Sequence, residues 1–79
     1  MKTKEFIIKV DEYNLIAHEY MDLISIYDLE TKKTIGYVSN LEENILYFDA
    51  LGLQSINKDK RYELIKVFTE YANTSIDQR

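Results

Sequence analysis

The apolar residues of this chain change their spacing once, near residue 57, from every second residue to every third or fourth. A period of two puts successive side chains on opposite faces of a strand, and a period of 3.6 gathers them on one helix face. The spacing therefore predicts an α+β fold. Strands occupy about residues 5–49, an apolar connector 50–56, and one helix about 57–73. A chain of 79 residues makes a single domain around a single core, and without cysteine that core has no disulfide to support it. The arrangement that buries both patterns is an antiparallel sheet of 4–5 strands in a meander, with the C-terminal helix packed on one face.

Five segments read as strands. Phe6-Ile7-Ile8-Lys9-Val10 is aromatic and β-branched, with Phe6, Ile8 and Val10 on one face at period two. Asp11-Glu12-Tyr13-Asn14 is polar enough to turn, and Leu15 to Tyr20 runs back. Leu15, Ile16, Glu19, Tyr20 and Leu23 also fit a helical stripe, so residues 12–22 stay open between strand and helix. Leu23 to Tyr27 and Thr34 to Val38 form a hairpin around the loop Asp28 to Lys33, and Ile45 to Asp49 follows a second turn. None of these connections is long enough for a parallel crossover, so successive strands pair antiparallel.

The helix has a clear start. Asn57 can accept a hydrogen bond from an early backbone amide, and Asp59 lies in the first turn, where the helix dipole favours an acid. Leu64, Ile65, Phe68, Tyr71 and Ala72 then fall on one face. Leu51, Leu53 and Ile56 are expected to tuck beneath the entrance to this helix. Gly36 suits a bulge or a close approach in its strand, and Gly52 a bend.

Chemistry is scarce. Without cysteine there is no thiol nucleophile, iron–sulfur cluster or cysteine zinc site. His18 is the only histidine and stands between Ala17 and Glu19 with no nucleophile pattern such as G-x-S-x-G around any serine. It reads as a structural side chain, and the chain as having no catalytic residue. The acids are scattered or adjacent, and neighbouring strand residues face opposite ways, so they form no metal site. Two glycines cannot build a phosphate-cradling loop, and no cofactor is expected. A net charge of −4, with Lys32-Lys33 and Lys58-Asp59-Lys60-Arg61 as the only basic clusters, argues against nucleic acid. The longest apolar run is Phe6-Ile7-Ile8, far below a membrane span, and the first residues lead into it without an export signal.

What the chain does have is tyrosine, seven in all. Tyrosine offers a large contact area, few rotors to freeze and a polar tip, which suits it to protein interfaces. Tyr13, Tyr20, Tyr27, Tyr37 and Tyr47 fall in the strand half and are the candidate interaction residues. Tyr27 is opposite in phase to Ile24 and Ile26, which places it on the uncovered sheet face. Tyr37 shares a phase with Ile35 and Tyr47 with Ile45, so core packing suits these two equally well. The expected function is a non-enzymatic protein-binding module acting through its sheet face or an edge strand. The alternative is a structural homo-oligomer, such as a homodimer, that uses the aromatic face for self-association.

The closing stretch, Glu70-Tyr71-Ala72-Asn73-Thr74-Ser75-Ile76-Asp77-Gln78-Arg79, resembles the end of a loose group of small proteins from phages and prophages of Gram-positive bacteria. Their last helix often finishes with L-x-x-x-Y-E-Y-A-x-T-P-[IL]-x-x-R. Leu64-Ile65, Glu70-Tyr71-Ala72, Thr74, Ile76 and Arg79 match, whereas Ser75 stands where proline is usual. The resemblance implies a phage accessory factor in the cytoplasm of a bacterial host, engaging or inhibiting a host protein, and it brings no catalytic residues. In this pattern Asn73 and Thr74 end the helix and Ile76 folds back against its last turn.

Overall fold

Ile24, Ile26 and Val38 need cover from water, and two helices rather than one provide it. The computed structural model describes all 79 residues. Helix α1 spans Thr3–Asp11, followed by strands β1 (Leu15–Tyr20), β2 (Leu23–Asp28), β3 (Thr34–Ser39) and β4 (Leu46–Phe48). Helix α2 (Ala50–Gln54), helix α3 (Lys58–Ala72) and a 3-10 turn at Ile76–Gln78 complete the chain. The four strands are antiparallel and lie side by side in chain order, the meander that the short connections predict.

The first expected strand is a helix. Phe6 and Val10 are four residues apart, so on α1 they share a face and are both fully buried. Ile8, placed with them by a period of two, is instead 54% exposed. The β preference of Phe6-Ile7-Ile8 is worth a few tenths of a kcal/mol per residue, much less than about 2 kcal/mol or more for burying a phenylalanine. Glu5 closes the first turn by accepting from the Lys2 backbone N–H at 3.1 Å. Residues 15–20 resolve to the strand, with a two-residue turn at Met21 and Asp22 between the paired Tyr20 and Leu23.

The core lies between the sheet and the α1/α3 layer. Phe6 stacks on Tyr71 with ring centroids 4.3 Å apart and meets Phe68 edge-on at 5.4 Å. Phe48 of β4 reaches Phe68 at 4.8 Å, which anchors the shortest strand. Asn57 caps α3 by accepting from Asp59 N–H at 2.9 Å. Leu64, Phe68, Tyr71 and Ala72 are buried on its inner face, and Ile65 lies at the margin, 37% exposed.

The connector departs from expectation. Residues 50–54 form α2, capped by Asp49, which accepts from Gly52 N–H at 3.0 Å. Leu53 and Ile56 pack against the core, but Leu51 is 72% exposed because the short helix turns it outward. A side chain on Gly52 would run into the Thr34 carbonyl, and one on Gly36 into the Tyr47 carbonyl. Both glycines therefore permit close backbone approach, α2 against β3 and β3 against β4.

At the β2–β3 turn, Asp28 accepts from Glu30 N–H at 2.8 Å and Thr31 N–H at 2.9 Å. The Thr31 backbone bond is the main cause that holds the Asp28 carboxyl below its ordinary range, with Glu30 and Lys33 assisting. The turn is therefore supported above the unfolded carboxylate value of about 4, and the support is lost as pH falls through the lowered value.

Candidate functional aromatic face

Strand alternation assigns the second sheet face. Ile24, Ile26 and Val38 point to the helices, so Ser25, Tyr27 and Tyr37 point the other way. Across the ladders Ile16 stands opposite Tyr27, His18 opposite Ser25, Ser25 opposite Tyr37, and Tyr37 opposite Tyr47. Tyr20 and Leu23 close the row at the β1–β2 turn. No helix crosses this side. Four of the candidate tyrosines, Tyr20, Tyr27, Tyr37 and Tyr47, thus share one uncovered surface.

Tyr37 and Tyr47 stack across β3 and β4 with centroids 5.3 Å apart, and His18 lies 6.3 Å from Tyr20. Tyr20 is 62% exposed and Tyr47 46%, while Tyr27 and Tyr37 are half-buried by their neighbours. These strand positions carry no carboxylate, ammonium or guanidinium. It continues over the end of the sheet to Met21, 86% exposed, and Leu41, 65% exposed. Asn40 N–H donates to the Asp22 carbonyl at 2.7 Å and holds these two loops together.

Phase alone leaves Tyr37 undecided for a physical reason. The β2–β3 register shifts between Ile26 and Tyr27, so Ile26 pairs with Gly36 and Tyr27 with Thr34. Ile35 falls in the irregularity and turns inward, fully buried, although it has the parity of Tyr37. No sequence signal marks that bulge beyond Gly36. Met21 and Leu41, single apolar residues in polar turns, carry no period at all.

Tyr13 does not join the face. It packs against the core beside α3, where its hydroxyl donates to Glu63 Oε2 at 3.1 Å. Burial, and then the Glu63 carboxylate, raise this phenol above its usual value. The neutral phenol is therefore favoured in the folded chain. Its contribution is complete below the unfolded value of about 10 and disappears as pH rises through the folded one. In an ultraviolet pH titration one tyrosine should ionise later than free tyrosine. Tyr13→Phe should remove that late step, and an unchanged curve would refute the assignment.

A second cluster gathers at the chain ends. Arg79 donates from Nε to the Thr74 carbonyl at 3.0 Å and from Nη2 to the Ala72 carbonyl at 2.9 Å. Its Nη1 donates to the Ser39 carbonyl and to Asn40 Oδ1, and the guanidinium lies 4.6 Å from the Tyr71 ring centroid. The Tyr71 hydroxyl reaches Asn40 Oδ1 at 2.9 Å and Thr3 Oγ1 at 2.6 Å, and the Met1 amine donates to Thr74 Oγ1 at 2.9 Å. The cluster clasps α1, α3 and the β3–β4 loop. Its donors are spent within the cluster, on backbone carbonyls and on the Asn40 and Thr74 side-chain oxygens, so it reads as architecture.

No group of three or more histidines and carboxylates is placed to hold a metal ion, and no helix is long and apolar enough to cross a membrane. No protein-family model, curated protein or solved structure matches the chain.

Proposed function

We propose that the chain is a non-enzymatic protein-binding module that takes a protein partner on the aromatic face. One observation carries this reading: four tyrosines with Ile16 and Leu23 line a sheet face that no element covers, while the opposite face is sealed. A surface of this kind excludes water from a partner through large rigid rings, and the hydroxyls retain hydrogen bonds at the rim. Met21 at its end adds an adaptable apolar contact. His18 lies among rings and a serine, without the carboxylate or nucleophile that acid–base work needs, so it serves contact and not catalysis. The C-terminal pattern that ends in Arg79 supports a phage accessory factor in a bacterial cytoplasm, with a host protein as the partner.

Capture from a Gram-positive lysate tests the reading, run with the native chain and a Tyr37→Ser/Tyr47→Ser variant in parallel. A saturable partner should be retained by the first and lost by the second at unchanged circular dichroism. Equal retention by both chains, or no saturable partner, would reject the aromatic face as the site.

A further inference from the structure

We infer that a second copy of this chain pairs with the free edge of β1, making a twofold dimer with one continuous sheet. Leu29 N–H donates to the Asn14 carbonyl, which fixes the bonding phase of the β1–β2 ladder. Even-numbered residues of β1 therefore bond to β2, and the N–H and C=O groups of Leu15, Ala17 and Glu19 point outward. None of the hydrogen bonds outside the helices and ladders reaches them. Leu15 is only 1% exposed, so the open part of this edge lies at Ala17 and Glu19. The strand is six residues long and carries no lysine, proline or bulge to blunt the edge; Glu19 is its one charged residue.

The chemistry beside the edge selects a second copy. Ile7, Ile8 and Asp11 of α1 form a groove with Leu15, Ile16 and Ala17 of β1. At helical spacing Lys4 extends the same stripe by one turn. An antiparallel copy of α1 centred between Ile7 and Ile8 sets each Ile7 against Ile8 of the other copy. The same centre sets each Lys4 against the other Asp11. Lys4 begins the helix and Asp11 ends it, positions where the helix dipole disfavours their charges and an antiparallel neighbour supplies the opposite charge.

The strand offers a matching centre. A twofold through Ala17 pairs Ala17 with itself, with Leu15 and Glu19 of the two copies in register on either side, and centres the contact on the open part of the edge. Measured from the turn, Ala17 is about 7 Å beyond Leu15, and Ile7 is about 6 Å back from Asp11. The strand centre and the helix centre thus lie at similar distances from the turn that joins α1 to β1. Because the twofold runs perpendicular to the sheet, the two aromatic faces lie on the same side. The pairing does not depend on what covers them.

Sedimentation equilibrium over a concentration series, to roughly 100 µM, reads the result. The expected mass is twice the 9.4 kDa of the chain. Ala17→Pro removes only an outward N–H and should return a folded monomer. Lys4→Asp should raise the dissociation constant about tenfold, and Lys4→Asp with Asp11→Lys should restore it, a readout that stands even where the proline variant fails to fold. The inference is overturned by a monomer at every concentration or by a dimer indifferent to the Lys4 charge. A dimer lost on Tyr37→Ser/Tyr47→Ser would equally overturn it, because the aromatic face would then be the self-contact.

Discussion

Phe6→Ala is expected to cost about 3–5 kcal/mol, the usual range for deleting a fully buried ring. That is most of what a domain this small has, so the variant should be largely unfolded at moderate urea where the parent is native. The cost has three parts. Phe6 loses its transfer into the core, the stack on Tyr71 and the edge contact with Phe68. Ile8→Ala in dilute solution should cost under about 1 kcal/mol, because Ile8 is 54% exposed. The contrast separates a helix from a strand over residues 6–10. Comparable losses at both positions in urea titrations would restore the period-two reading and remove α1.

Arg79→Ala carries the second large effect, about 2–4 kcal/mol in the same titration. The guanidinium serves the carbonyls of Ser39, Ala72 and Thr74 and the amide of Asn40, and caps the Tyr71 ring. Removing it leaves these acceptors short of donors in a half-buried place, which costs more than the bonds contribute while they exist. Arg79→Lys should recover little. An ammonium on a flexible stem cannot reach three elements from one plane, although it keeps the charge. Full recovery by lysine would show that charge, and not the planar fork, holds the clasp.

Much of the fold is legible in the residues themselves. Alternation in Leu23 to Tyr27, the short turns and the Asn57 cap each follow from local chemistry and agree with β2, the meander and α3. What escaped depends on partners distant in sequence. Phe6-Ile7-Ile8 looks like a strand until Tyr71 and Phe68, more than 60 residues away, reward the helical face. The inward turn of Ile35 depends on a register shift against β2 that its own neighbours do not encode. For the candidate site, phase alone places Tyr27, whereas Tyr37 and Tyr47 needed the ladder. Tyr13, one polar turn from β1, was drawn away by Glu63. Arg79 entered through a resemblance, and only its geometry gives it a job.

The strand order has one more consequence, for the chain as it is made. Because β1 to β4 lie side by side in the order of synthesis, each pairing can form as soon as its hairpin emerges from the ribosome. The lid is completed late: α3 supplies Leu64, Phe68 and Tyr71, and until then α1 has only the β1 side of the sheet to lean on. Throughout that interval much of the nascent layer is uncovered on both sides, oily below and aromatic above. Chaperones would meet this protein as an open leaf, and the arrival of α3 is what shuts it.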